Sequence, residues 1–276
     1  MRVGIFSKTF EGIRPLKVLS DCKLIGFECT QYNMSCSGIG SLPEIIPESV
    51  TLELKDAIHL TGISISAISA TYNMTDPNIN RRSVGRKAFE AIAKCATHIG
   101  TPIVTVCSGS LNVDDKWKSH PDNSNPENWF DMCKEFEMLC AIAEKHNILI
   151  GVEPELGNIV SSAPHAAKLL KSFSGGPIRI VLDPANLIED APLDQHKKII
   201  DEALESLEKK IILVHAKDRS SDGCIAPPGK GVIDWPYFLK CLAYGGFDGP
   251  LITHGITASQ APETANFLRD QIYLLK

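Results

Sequence analysis

Several things are scarce in this 276-residue chain, and each absence excludes a class of protein. No apolar run reaches the roughly 20 residues a helix needs to cross a bilayer. The N-terminal Met1-Arg2-Val3-Gly4-Ile5-Phe6 enters a strand-like run without the apolar stretch and small-residue cleavage site of a secretory signal. Positive charge is not in excess: 28 Lys and Arg stand against 33 Asp and Glu, for a formal net charge of -5. Nucleic acid and anionic membranes are held by clustered cations, so neither is an expected partner, and a small polar molecule is. Regular cysteine spacing is missing as well. The nine cysteines are odd in number and lie mostly among apolar neighbours, which suits buried reduced thiols in a cytoplasmic protein better than a disulfide framework. No Gly-rich dinucleotide loop follows the first strand-like run, which argues against a doubly wound cofactor fold.

What the chain does have is alternation. Apolar β-type runs fall at residues 2–7, 24–29, 62–69, 102–107, 148–153, 178–183, 211–215 and 250–254, eight in all, with segments of helical period between them. The clearest helix is expected over 126–146, with Asn125 as its cap, Pro126 in the first turn, and Trp129, Met132, Cys133, Phe136, Cys140 and Ala143 on one face. Another is expected over 195–210, with Ile199, Ile200, Ala203, Leu204 and Leu207 as its buried stripe. Eight strands with helical crossovers and no linker or low-complexity stretch predict an α/β fold, a single (β/α)8 TIM barrel domain spanning residues 1–276.

Four of the runs end on residues able to bind a metal: Glu153, Asp183, His215 and His254. In a parallel barrel these positions lie at strand ends, where such folds keep their chemistry. Two carboxylates and two imidazoles form a mixed oxygen and nitrogen set suited to Mn, Zn, Fe, Co or, less well, Mg. An acid–base site without metal remains the rival on spacing alone. Three long segments, 32–47, 108–125 and 216–233, follow strands and are expected to cover the mouth as a substrate lid.

The stretches Gly151-Val152-Glu153-Pro154-Glu155, Leu182-Asp183-Pro184-Ala185-Asn186-Leu187, Val214-His215-Ala216-Lys217-Asp218, Pro228-Gly229-Lys230-Gly231-Val232-Ile233-Asp234-Trp235 and Gly246-Phe247-Asp248-Gly249-Pro250-Leu251 carry a family likeness. With them the chain resembles the xylose-isomerase-like sugar isomerase/epimerase superfamily, which also includes the endonuclease IV type of DNA-repair enzyme. The resemblance implies a divalent metal held by Glu, Asp, His and a second Glu at these four strand ends. Glu153, Asp183 and His215 match, whereas His254 stands where the second Glu is expected. Two carboxylates, two neutral imidazoles and a divalent ion sum to about 0 instead of about -1, which would leave the ion a stronger Lewis acid. His254 is then either a ligand or a base.

The implied chemistry is proton transfer through an enediolate on a small neutral or acidic sugar or keto-sugar, with Glu153 and His254 as catalytic candidates. A metal-dependent lyase or dehydratase of a keto-sugar or keto-acid is the alternative, followed by a non-catalytic sugar-binding relative with a degenerate metal site. Glu155, Asn186, Lys217, Arg219, His120 and Trp117 are the candidate substrate contacts, and Asp218 is expected to orient Lys217 or its loop. DNA repair is disfavoured because the third and fourth strands end near Ser69 and Cys107, without the histidines that activity needs. Assembly into homo-oligomers is a further implication of the resemblance.

Overall fold

A computed structural model describes residues 1–188 and 191–275. Eight parallel strands close into a barrel in the order β1 (Arg2–Phe6), β10 (Pro250–Thr253), β7 (Ile211–Ala216), β6 (Ile178–Leu182), β5 (Leu149–Glu153), β4 (Ile103–Cys107), β3 (Ser64–Ser69) and β2 (Cys29–Tyr32). Among the described residues two further strands, β8 (Asp218–Arg219) and β9 (Ile225–Ala226), form an antiparallel hairpin in the segment after β7. The expected (β/α)8 architecture is therefore present. No helix of the described residues is long and apolar enough to cross a membrane.

The interior is built by period-two alternation. Cys29, Ala67, Ile103, Val181, Leu213 and Ile252, one from each of six strands, form a small apolar cluster separate from the larger core that includes the helices. The other two strands contribute glycines here. A Cβ on Gly4 would lie 2.6 Å from Ile252 Cδ1 and 2.7 Å from Cys29 Sγ, and one on Gly151 would lie 2.9 Å from Val181 Cγ2. Neighbouring side chains thus fill the axis at these two points and close the barrel below its mouth. One alternation further along, the same faces carry Phe6, Gln31, Ser69, Thr105, Glu153, Asp183, His215 and His254, and on β4 Cys107, one alternation beyond Thr105, is the residue paired with Glu153.

Helix α4 (Pro126–His146) has its expected bounds. Trp129, Met132, Phe136, Leu139, Cys140 and Ala143 are buried along one face, and Asn147 ends the helix in the left-handed region at φ 50°. Asn125 precedes it but makes no side-chain capping bond; its amide instead donates to Asp122 Oδ1 at 3.2 Å. Helix α7 (His196–Leu207) is shorter than the expected 195–210, the chain tightening into a 3₁₀ turn before β7.

The second strand is the main correction. Residues 24–29 were expected to form it, but Leu24 and Ile25 finish helix α1 (Pro15–Ile25), which Gly26 closes at φ 93°. A short apolar run does not by itself distinguish a helix end from a strand. The barrel strand is Cys29–Tyr32, so Gln31 takes the mouth position.

Candidate active site at the barrel mouth

Strands β5, β6 and β7 are neighbours in the barrel, which brings Glu153, Asp183 and His215 together from distant parts of the chain. One ligand atom of each lies within 4.8 Å of the others, and all three residues are buried. His215 Nδ1 is 2.7 Å from Glu153 Oε1, and its other ring nitrogen is 2.8 Å from Gln31 Oε1. Gln31 in turn donates from Nε2 to Thr105 Oγ1 at 3.2 Å. This clamp fixes the imidazole plane, a role that outer-shell partners play in metal and acid–base sites alike. Gln31 was missed in the sequence because the misplaced second strand ended before it.

Lys217, two residues past His215, turns back into the same space. Its Nζ is 2.5 Å from Asp183 Oδ2 and 3.6 Å from Glu153 Oε1. Burial alone would push the ammonium's pKa down, but Asp183, Glu153 and Glu155 outweigh it and raise it above the usual lysine range. Burial would likewise raise the Glu153 carboxyl, yet His215 and Lys217 hold it well below the usual carboxylate range. Glu155 goes the other way: desolvation and the charge of Glu153 push it up to about 8.

His254 is not among the three residues of the ligand group. Its ring is stacked on His215 with centroids 5.1 Å apart and lies 4.8 Å from the Phe6 ring. Burial first, then the nearby His215 and Lys217, lower its pKa to about 3, so the imidazole is neutral at physiological pH.

The other candidates divide by the loop they serve. Asn186 is buried and donates to the Pro154 carbonyl at 3.1 Å, beside Glu155; the first turn of helix α6 (Pro184–Leu187) is capped by Asp183, which accepts from Ala185 N at 2.9 Å. Arg219 is buried, and its guanidinium donates to the carbonyls of Ala185 and Gly223, joining α6 to the β8–β9 hairpin. Asp218 organises the rest of that segment. Its carboxylate accepts from the backbone amides of Arg219, Gly229 and Ile233 and from Trp235 Nε1 at 2.8–3.1 Å.

Trp117 and His120 lie on the long segment after β4. Trp117 is half exposed, and the Lys116 ammonium lies 5.2 Å from its ring centroid. His120 accepts from Asp122 N at 3.3 Å and opens a 3₁₀ turn at Pro121–Ser124. The segment is laced to the one after β5 by two asparagines to which the sequence assigned no site role. Asn123 donates to the Gly157 carbonyl at 2.9 Å, and Asn158 accepts from Gly109 N at 2.7 Å and donates to the Lys116 carbonyl at 2.9 Å. Asn123 sits among polar loop residues and Asn158 between Gly157 and Ile159 outside any regular element, so no periodicity marks them.

The donor set suits a divalent ion. Two carboxylates and an imidazole are a borderline-hard combination, and Asp183 Oδ2 is sealed from solvent with no well-angled hydrogen bond, its counter-ion being Lys217.

Known proteins of the same shape are numerous. The apo form of 3-keto-D-glucoside 4-epimerase YcjR from E. coli superposes with a TM-score of 0.78 at 18% identity, covering 98% of this chain and 99% of that one. A D-tagatose 3-epimerase-like protein gives 0.80 at 17% identity, covering 100% and 98%. A xylose isomerase-like TIM barrel protein from Mycobacterium smegmatis in complex with magnesium gives 0.74 at 14%, covering 100% and 98%. At such identities the likeness establishes the fold. No curated protein sequence matches the chain. The family model described as xylose isomerase-like TIM barrel matches residues 19–271, nearly the whole chain, and the protein therefore belongs to that family.

Proposed function

We propose that this protein is a sugar isomerase or epimerase that moves a proton on a carbon beside a carbonyl, acting on a small neutral or acidic sugar or keto-sugar through an enediolate. The observation that carries this reading is the convergence of Glu153, Asp183, His215 and Lys217 at the ends of three adjacent strands, with His254 stacked beside them. Such a cluster supplies a base, a cation and a neutral hydrogen-bonding group around one small volume. The epimerases that share the fold support the choice of reaction class.

Glu153 is held ionised and takes the proton. Lys217, whose ammonium lies 3.6 Å from Glu153 in the metal-free site, supplies positive charge toward the mouth, where an oxyanion developing on the substrate would be stabilised. His254, expected among the metal ligands, has the acid–base role in this reading. Its neutral imidazole polarises the carbonyl and can hand a proton on, as a neutral histidine does in other isomerases. Glu155 and Asn186 bind hydroxyls on the β5–β6 side, Trp117 and His120 cover the sugar from the β4 segment, and Arg219 holds the hairpin in position. Glu153, Asp183 and His215 would hold a divalent ion (Mn, Zn, Co, Fe or Mg), which when bound supplies Lewis-acid polarisation of substrate oxygens.

A lyase or dehydratase acting on a keto-sugar or keto-acid is the second reading, favoured by Glu155. A carboxyl pushed up to about 8 remains largely protonated at neutral pH and can protonate a departing hydroxyl. Incubating the metal-supplied protein with unphosphorylated ketoses, 3-keto-glucosides and sugar keto-acids separates the two by product analysis. An epimer or isomer is the expected product; a dehydrated product would establish the lyase, and no conversion across all three classes would sink both readings.

A further inference from the structure

Lys217 occupies a position of unusual competition. Its ammonium lies against Asp183 Oδ2 and near Glu153 Oε1, and the residue is only 7% exposed. Those two carboxylates are also two of the three groups whose ligand atoms cluster within 4.8 Å. A buried ammonium and a divalent ion would therefore draw on the same anions, in a space with little water to screen them from each other.

A charge count shows the consequence. Glu153 and Asp183 with Lys217 alone sum to about -1, with a divalent ion alone to about 0, and with both to about +1. A carboxylate at the end of β10 would return the doubly occupied site to about 0. The residue there is His254, a neutral ring packed between Phe6 and His215, and it offers no such compensation. Lysine carries its charge on a flexible four-carbon stem, which gives the ammonium somewhere else to go.

We propose that Lys217 is a built-in counter-ion that competes with a divalent metal for Glu153 and Asp183, so that metal loading drives its ammonium off Asp183 and toward the barrel mouth. The inference rests on the reading of Glu153, Asp183 and His215 as a metal site, and it is independent of which substrate is turned over.

Calorimetric titration of the metal-free protein with Mn²⁺ tests it. Lys217→Gln removes the charge but keeps a polar group beside Asp183, and it should bind Mn²⁺ on the order of tenfold or more tighter than the wild type. His254→Glu should produce a similar tightening with Lys217 in place, and combining the two substitutions should gain less than their sum. Equal or weaker binding by Lys217→Gln overturns the proposal, as does failure of both wild type and variant to bind the ion.

A measurement on the wild type guards against a variant that does not fold. The rate at which an amine-acylating reagent modifies Lys217, followed by peptide mass spectrometry, should rise several-fold at saturating Mn²⁺, and an unchanged or slower rate contradicts the displacement. Both readouts are taken without substrate, so failure of the proposed sugar chemistry would leave them standing.

Discussion

The two halves of the barrel mouth differ in kind. On β5, β6, β7 and β10 the inward positions are Glu153, Asp183, His215 and His254; on β1 to β4 the corresponding positions are Phe6, Gln31, Ser69 and Cys107. One half gathers the charge and the other is neutral. The contact between them is specific, because Gln31 reaches across to His215 while Phe6 packs on His254. The neutral half therefore fixes the orientation of the rings that the charged half uses. That division explains how a closed parallel sheet can keep a polar cluster in one geometry although its members come from four separate strand ends.

The sharpest way to break this comparison is to remove the base. Glu153→Gln should lower turnover by about a thousandfold, within the range for losing a general base, while leaving the fold intact by circular dichroism. Ser69→Ala, the same kind of position in the neutral half, should cost less than about tenfold. Comparable losses from the two substitutions would erase the distinction between the halves.

The charged half was also the half legible in the sequence. Its strands are apolar runs ending abruptly on Glu153, Asp183, His215 and His254, so each run and the polar residue at its end mark each other. The neutral half lacked such punctuation. Leu24 and Ile25 look like strand residues, yet Leu24 is 87% exposed on the last turn of α1, and the strand after it is Cys-Thr-Gln-Tyr, whose polar middle gives no apolar signal. Gln31 was lost with that strand. Contacts such as Asn123 with Gly157 depend on how two loops meet in space, and one-dimensional periodicity contains no trace of them. Conversely, the expectation that Asp218 orders its loop came from its place beside Lys217, and the structure shows it as the hub of four hydrogen bonds.

Asp218 gives the next largest effect, this time on stability. It is fully buried and receives three of its four hydrogen bonds from the segment after β7 and the fourth from Trp235, at the start of the helix that follows. Asp218→Ala leaves four donors without their acceptor and should cost about 3 kcal/mol in urea denaturation. A cost below about 1 kcal/mol would mean that the β8–β9 segment is held in some other way.

Gln31→Ala sharpens the link between the halves. One ring nitrogen of His215 would lose its partner, with an expected loss of about 1–2 kcal/mol of stability and about tenfold or more in metal affinity or activity. An effect on stability alone would reduce Gln31 to a packing residue.

The smallest expected effect is a pH dependence. The Glu155 carboxyl is raised to about 8 in the folded protein against an ordinary value near 4.5, so the folded state binds its proton more tightly than the unfolded chain does. Its stabilising contribution is complete below about 4.5 and declines as the pH climbs through about 8. Glu155→Gln should flatten the fall in melting temperature over that interval by a few degrees, and parallel profiles for variant and wild type would refute the assignment.

The central claim, that the charged half of the mouth performs proton transfer at carbon, is tested most directly by isotope exchange. Metal-supplied wild type and Glu153→Gln are each incubated with a ketose or 3-keto-glucoside in D₂O and followed by proton NMR. Deuterium should enter the position beside the carbonyl with the wild type and fall to background with the variant. Exchange that persists in the variant, or is absent from the wild type with every sugar that it converts, would contradict the account.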